Sequence, residues 1–162
     1  MTSDQLDQLD TRLLVLLTEQ PRIGVLECSR RLRVARGTVQ ARLDRLQERG
    51  VIRGFGPQID VTAIGYGVTA FVTLEIRQGR GGQVAEHLAR IPEVLEAHTT
   101  TGQGDLLARI VARSNSDLQR VIDDVVSDVN IVRASTTIAL STPIPYRVLP
   151  LIRGDRGDAS RS

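Results

Sequence analysis

Two groups of residues in this chain have types and spacings that could perform chemistry. The first is a block of eight arginines between residues 30 and 53, where only two acidic residues leave a net charge of +6. The second is the segment Thr101-Gly102-Gln103-Gly104-Asp105. Arginine binds phosphate and guanine. Two glycines can expose main-chain N–H groups to an anion, and a carboxylate beside them can hold a protonated amine.

The charge outside the arginine block is almost balanced. Residues 1–29 carry −3 and residues 54–162 carry −1, so the total of +2 hides a local concentration. A basic block on a nearly neutral chain indicates one anionic contact surface, although a short run of charge can also be no more than a solvated helix face.

Composition excludes several function classes. The 162 residues suffice for one or two small domains, and all 21 basic residues are arginine. The absence of lysine excludes Schiff-base chemistry and phosphate loops that end in lysine. One cysteine and two histidines fill no usual zinc-finger pattern. Cys28 is therefore expected to be a small buried apolar residue, and no metal site, catalytic residue or cofactor is expected.

Neither a membrane span nor a secretory leader is expected. The longest uninterrupted apolar stretch is 13–17, and the N-terminus has an acid where a signal peptide would be basic. The expected location is the cytoplasm.

The four aromatic residues are too scattered for a platform that stacks single-stranded nucleic acid.

Apolar periodicity predicts three helices before residue 50. Leucines at helical spacing predict the first over residues 4–19, capped by Ser3 or Asp4. A two-turn second helix follows Gly24, and the third is predicted over 36–49. The apolar positions that define these two helices are Val25, Cys28, Leu32, Val39, Leu43 and Leu46. Three short helices in this order predict a helix-turn-helix, and residues 52–55 are expected to add a short strand, or wing.

The third helix is predicted to separate an apolar stripe from a polar flank. At 100° per residue, Thr38, Arg42, Arg45 and Arg49 lie away from the apolar stripe, and small Ala41 permits close approach. A helix in the DNA major groove requires this arrangement. Thr38, Arg42 and Arg45 are expected at base edges, and Arg36, Arg49 and Arg53 at phosphates. The complete predicted DNA-binding set is Arg36, Thr38, Gln40, Ala41, Arg42, Arg45, Arg49 and Arg53.

The second half of the chain predicts a different architecture. Alternation of apolar and polar residues predicts strands over 68–76, 94–101, 106–111 and 132–140, with helices after the first and third strands. The resulting order βαββαβ is the ferredoxin-like arrangement, and the whole chain is predicted to be α+β. Helices cover only one face of such a sheet, so pairing two sheets in a homodimer is the economical way to cover the other.

The sequence resembles the Lrp/AsnC, or feast/famine, transcriptional regulators over about residues 4–150. The likeness is carried by Leu6-Asp7-x-x-Asp10, by Pro21-Arg22-Ile23 through Ala41-Arg42-Leu43-Asp44-Arg45-Leu46-Gln47-Glu48-Arg49-Gly50-Val51-Ile52, by Gly65-Tyr66-Gly67, and by the glycine-aspartate segment at 101–105. Two positions depart from the family pattern: Arg33 stands where members commonly have a turn glycine, and Ala35 where a serine-like cap opens the recognition helix.

The resemblance implies a regulator whose binding to double-stranded DNA responds to an amino acid or related metabolite. It identifies residues 101–105 as the effector loop, so the predicted effector-binding residues are Thr101, Gly102, Gln103, Gly104, Asp105 and Thr136. It also implies homodimers that assemble into octamers on the nucleoid. The expected domains are a helix-turn-helix with linker at 4–65, an effector and oligomerisation domain at 66–150, and a disordered tail at 151–162.

Two alternatives remain at this stage. Sirohaem decarboxylases have a similar two-domain fold, and His87 or His98 could serve such an enzyme, although a haem-type substrate would need cations in the second half of the chain. The other alternative is a metabolite-binding oligomer that does not bind DNA.

The residues after Leu140 contain three prolines and are expected to form an extended arm that pairs with a partner chain.

Overall fold

The computed structural model describes residues 6–154, which divide into two compact units. Of the described residues, one unit contains 6–57 together with 144–154, and the other contains Gln58–Pro143. Within the described residues, no helix is both long and apolar enough to cross a membrane.

The first unit is built on three helices, α1 (Gln8–Glu19), α2 (Val25–Leu32) and α3 (Arg36–Glu48). The predicted helices are present, but α1 begins at Gln8 and not at residue 4. Asp7 is its N-cap, because its side chain accepts from the Asp10 N–H while the Asp10 side chain reaches back to the Asp7 N–H. Ser3 and Asp4, the expected caps, lie outside the described residues.

The core of this unit joins the three apolar stripes. Its buried members are Leu13, Leu14, Cys28, Leu32, Val39, Leu43 and Leu46. Cys28 is buried as expected, and the apolar surroundings raise the pKa of its thiol. The predicted wing is wrong, because residues 52–55 form no strand and Phe55 is exposed.

A short C-terminal helix, α6 (Leu149–Arg153), also belongs to the first unit. Ile152 packs against the core formed by α1–α3, and Arg153 forms an ion pair with Glu19 of α1. The expectation of a disordered tail from residue 151 is therefore wrong for residues 151–153, where apolar contact with α1 orders the chain. Residues 155–162 lie outside the described part.

The second unit is a four-stranded antiparallel sheet with two helices. Its strands run in the order β2-β3-β1-β4. In chain order the elements are β1 (Val68–Ile76), α4 (Gly81–Leu88), β2 (Val94–Thr99), β3 (Leu106–Ala112), α5 (Asn115–Val126) and β4 (Ile131–Ala139). The predicted α+β class, with a helix-turn-helix before a βαββαβ sheet, is confirmed.

One face of the sheet is covered and the other is not. Ala70, Val72 and Leu74 of β1 are fully buried in a core with side chains of α4 and α5. Thr69, Phe71 and Thr73 alternate with them and therefore lie on the opposite face, because successive strand side chains point to opposite sides. The register places Thr137 and Ser135 of β4 beside Phe71 and Thr73 on this uncovered face.

Candidate functional site

The third helix, α3, presents a polar surface opposite its buried stripe. Val39, Leu43 and Leu46 anchor it in the core. Four of the predicted DNA-binding residues are exposed in its first half, namely Arg36, Thr38, Gln40 and Ala41. Gln40 also donates to the Asp44 carboxylate one turn later at 2.8 Å. The first half of the helix therefore offers exposed hydrogen-bonding side chains at Arg36, Thr38 and Gln40, together with the small Ala41.

Arg42 and Arg45 have partners inside the unit that the sequence did not reveal. Arg42 donates to Asp10 at 2.9 Å and also to Asp7, and Arg45 donates to Asp10 at 2.7 Å. The Asp10 side chain is fully buried, whereas those of Arg42 and Arg45 are 25 % and 46 % exposed. A buried carboxylate is stable only when it is paired and hydrogen-bonded, so these arginines tie α3 to α1.

Electrostatics reflect the same contact. The hydrogen bond from Arg42, followed by that from the Asp10 N–H, holds the pKa of Asp7 below its usual value. The two carboxylates in turn raise the pKa of Arg42. Arg42 is therefore a structural cation of the helix pair, and only Arg45 remains exposed enough to face a ligand as well. The prediction that either residue contacts DNA stays a prediction.

The turn between α2 and α3 has the conformation that a glycine would favour. Arg33, the C-cap of α2, has φ 57° and ψ 46°, the left-handed region. Ala35 is the N-cap of α3 and provides no side-chain hydrogen bond, and the Ala35 carbonyl accepts from the Thr38 N–H at 3.0 Å. The helix nonetheless begins at Arg36.

The two remaining predicted phosphate contacts lie beyond the helix. Arg49 is the C-cap of α3 and is half-buried. Arg53 is exposed in a segment without regular structure. Both stay predictions as DNA contacts.

The glycine segment forms one wall of a cavity in the second unit. The cavity has a volume of about 680 Å³, within the range of about 300–1,000 Å³ typical of small-molecule sites. Its lining residues are Thr73, Glu75, Gly102, Gln103, Gly104, Arg133 and Ser135. Three predicted effector residues, Gly102, Gln103 and Gly104, are therefore brought together with side chains of β1 and β4.

The loop approaches β1 so closely that a side chain at Gly104 has no space. A Cβ atom there would lie 2.3 Å from Thr73 Cγ2 and 3.3 Å from the Leu74 oxygen, and φ is +89°. Asp105 fixes the approach. Its N–H donates to the Leu74 carbonyl at 2.8 Å, and its Oδ2 accepts from the Ile76 N–H at 2.8 Å.

The structure separates three predicted effector residues from the cavity lining. Asp105 uses its carboxylate to anchor the loop on β1. Thr101 is exposed in the turn before Gly102. Thr136 pairs with Val72 of β1, whose side chain is on the covered face, so Thr136 lies on the opposite side of the sheet from the cavity. The grouping of Thr136 with the loop is corrected for this reason.

Sequence reasoning missed Glu75 and Arg133 as cavity residues. They are direct partners across β1 and β4, with a guanidinium-to-carboxylate distance of 3.9 Å. Alternation along each strand assigns them to the same side as Thr73 and Ser135. The strand order places β1 between β4 and β3. Only this order shows that the side of the sheet with Glu75 and Arg133 meets the glycine loop, which leads into β3.

Neither histidine forms a catalytic arrangement in the described chain. His87 donates through Nε2 to the Asp124 carbonyl at 2.9 Å, and His98 is an exposed side chain beside Glu96. Among residues 6–154, no cluster of three or more His, Cys, Asp or Glu could hold a metal ion.

Comparison with known families covers both units. The AsnC-type helix-turn-helix domain matches residues 6–47, and the Lrp/AsnC ligand binding domain matches residues 69–149. Together they include α1, α2, all but the last residue of α3, all but the first residue of the sheet, and the glycine loop.

Individual relatives agree with this result. An uncharacterised HTH-type transcriptional regulator of Pyrococcus abyssi is 35 % identical over 85 % of this chain and 87 % of its own length. The structure of E. coli AsnC has a TM-score of 0.84 at 26 % identity and covers 90 % of this chain and 99 % of its own. A Neisseria meningitidis transcriptional regulator, solved as a complex with L-Met, has a TM-score of 0.80 at 25 % identity, covering 91 % and 97 %. With its helix-turn-helix and its ligand-binding domain, this chain belongs to the Lrp/AsnC family of transcriptional regulators.

Proposed function

We propose that the protein binds a specific duplex DNA operator through α3 and that an amino acid bound at the cavity of the second unit changes this binding. The observation that carries the proposal is the exposed polar surface of α3 opposite its buried stripe. Small Ala41 and the hydrogen-bonding Thr38 and Gln40 provide close approach and direct contacts to base edges, as the major groove requires.

The arginines of the block divide into two groups in this proposal. Arg36, Arg49 and Arg53 hold phosphates, and Arg45, which is 46 % exposed, reaches the DNA while it remains close to Asp10. Arg42 orients α3 through its ion pairs with α1. Phosphate contacts position the helix and base contacts supply specificity.

The effector is a small metabolite, an amino acid in this proposal, and no cofactor takes part. The neighbour from N. meningitidis forms a complex with L-Met. The present chain has a cavity of about 680 Å³ beside its glycine loop, a size suited to a small metabolite. Gly102 and Gly104 both have positive φ, at 103° and 89°, a backbone conformation that helps successive N–H groups face an anion such as a carboxylate.

Assembly completes the proposal. The uncovered face of the sheet carries Phe71, whose side chain is 38 % exposed, and pairing of two such faces forms a homodimer. Dimers then assemble into octamers. Because the target is chromosomal DNA, we place the protein in the cytoplasm on the nucleoid.

A DNA-binding titration with the full chain tests the proposal. We expect preference for the DNA upstream of its own gene over a scrambled duplex, a steep loss of affinity with salt, and a change in affinity with one amino acid. Arg45→Ala is expected to weaken operator binding by about 1–3 kcal/mol, measured at a temperature where circular dichroism shows that the variant is folded, because Arg45 also pairs with the buried Asp10. Arg90→Ala, an exposed arginine of the second unit, is the matched control. Equal affinity for both duplexes, or no binding at low salt, would overturn the proposal.

A further inference from the structure

We infer that the cavity selects an amino acid with an uncharged, hydrogen-bonding side chain, and that Glu75 binds its α-ammonium group while Arg133 binds its α-carboxylate. This inference rests on the proposed function, because it specifies the effector of the same site. It also assigns the amine contact to a different carboxylate from the one in the glycine-aspartate segment.

Asp105 already has a structural role. Its Oδ2 accepts from the Ile76 N–H, its own N–H donates to Leu74, and its carbonyl accepts from the Thr100 N–H at 3.0 Å. The first two bonds attach the loop to β1 and the third closes the loop on itself. Asp105 is not part of the cavity lining. Glu75 is the carboxylate that lines the cavity, one residue before the strand end that Asp105 binds.

Glu75 and Arg133 can exchange their mutual contact for a ligand. Their side chains are 52 % and 75 % exposed and 3.9 Å apart, at the outer limit of an ion pair. Exposed pairs of this kind contribute little to stability. An amino acid zwitterion offers each of them an opposite charge at short range, and the resulting charge-assisted hydrogen bonds are stronger than neutral ones. The N–H groups of the glycine loop lie at the same cavity.

The rest of the lining determines which side chain fits. Glu75 and Arg133 would neutralise the α-ammonium and α-carboxylate groups of the ligand. A charged side chain on the ligand would then have no opposite charge among the lining residues. The remaining side chains are the Thr73 and Ser135 hydroxyls and the Gln103 amide. Among the described residues that line this cavity, none is aliphatic, aromatic or methionine. An apolar effector would leave these hydroxyl and amide groups without partners, which disfavours its binding.

Calorimetric titration of the full chain with amino acids tests the selectivity. Serine, threonine, asparagine and glutamine form the expected group. Leucine, methionine and phenylalanine form the apolar group, and aspartate and lysine the charged group. We expect at least one member of the first group to bind at least tenfold more tightly than every member of the others.

Matched variants test the two charged contacts. Glu75→Gln and Arg133→Gln are expected to weaken the binding of the selected amino acid at least tenfold. Glu96 and Arg109 form another cross-strand pair of this unit, 3.5 Å apart, and do not line the cavity. Glu96→Gln and Arg109→Gln should therefore leave the affinity unchanged.

The outcomes distinguish the two levels of the proposal. If an apolar or charged amino acid binds most tightly, or if Glu75→Gln and Arg133→Gln bind as well as the parent, the inference is wrong while the proposed function stands. If no amino acid binds the parent or changes its affinity for DNA, the proposed amino acid effector itself is overturned.

Discussion

Asp10 shows how one side chain can organise the DNA-binding unit. It is fully buried, caps α1 together with Asp7, and accepts from Arg42 and Arg45 of α3. Removal of one partner from a buried charge pair is strongly destabilising, because it leaves the other charge without compensation. Two arginines of the basic block are thus balanced inside the unit, so the charge available to DNA is smaller than the sequence total suggests.

Acid is expected to weaken the contact between Asp7 and Arg42 and so to lower the free energy of unfolding. The pKa of Asp7 is lowered in the folded state, mainly by the hydrogen bond from Arg42, so its ionised form stabilises the fold above the unfolded value of about 3.9. This contribution is lost as the pH falls from about 4 through the lowered pKa. Asp7→Asn keeps an N-capping side chain but does not titrate, and its urea midpoint should fall less between pH 5 and pH 3. An equal fall in both proteins would contradict the assignment.

Arg33 carries a backbone cost that a single substitution should remove. A residue with a Cβ atom is strained by roughly 1–2 kcal/mol in the left-handed region, where Arg33 lies. Glycine avoids this strain, but part of the gain is offset because glycine loses more conformational entropy on folding. Arg33→Gly should therefore raise the free energy of unfolding by about 0.5–1 kcal/mol, measured in urea. Arg33→Ala removes the same charge but retains the Cβ atom, and it should show no such gain. Equal stability of the two variants would show that charge, not conformation, matters there.

At the level of elements, the glycine loop at residues 101–105 depends on its close contact with β1. The Asp105 N–H donates to Leu74 and the Asp105 carboxylate accepts from the Ile76 N–H, and these two bonds hold the loop there. The absence of a side chain at Gly104 permits the approach to Thr73. The loop is consequently a fixed wall of the cavity.

Two glycine substitutions in this loop should differ in effect. Gly102 and Gly104 both have positive φ, but a Cβ at Gly102 would meet no atom within 4 Å, whereas one at Gly104 would overlap Thr73. Gly102→Ala should cost only the conformational strain of about 1–2 kcal/mol. Gly104→Ala should cost at least about 1 kcal/mol more and weaken amino acid binding. Thermal denaturation and calorimetry measure the two effects, and similar losses in both variants would contradict the close packing.

For the whole molecule, the chain passes from the first unit to the second and then returns. The return is made by the segment from Ile144, whose helix α6 places Ile152 on the core of α1–α3. The C-terminal segment is therefore part of the DNA-binding unit, although it follows the ligand-binding domain in sequence.

Truncation before Ile144 should loosen the first unit selectively. Loss of the partly buried Ile152 is expected to cost about 1 kcal/mol, with little from the exposed Arg153–Glu19 pair. Cys28 is 1 % exposed in this core, and a thiol reagent can reach it only when the unit opens. The truncated protein should react about fivefold faster than the parent. Deletion of residues 155–162 alone is the control, and equal rates for the truncation and this control would exclude a stabilising role for α6.

The sequence by itself determined the elements and their order. Apolar positions at spacings of three and four, or of two, are local signals, so they predicted the helix-turn-helix and the βαββαβ sheet. They also predicted the exposed face of α3 and that helices cover only one face of the sheet. The same local signals failed at the predicted wing, where Phe55 stays exposed, and at α6, whose order comes from a contact with α1.

The tertiary structure decided which charged groups meet. Asp10 is distant in sequence from Arg42 and Arg45, and Glu75 is distant from Arg133, so no periodicity could pair them. The register of β4 against β1 places Thr136 on the covered side, and the strand order brings Glu75 to the loop. Hydrogen bonds between Asp105 and β1 give Asp105 a structural role. The physical reason is that periodicity fixes the face on which a side chain lies, whereas packing between distant segments fixes its partner.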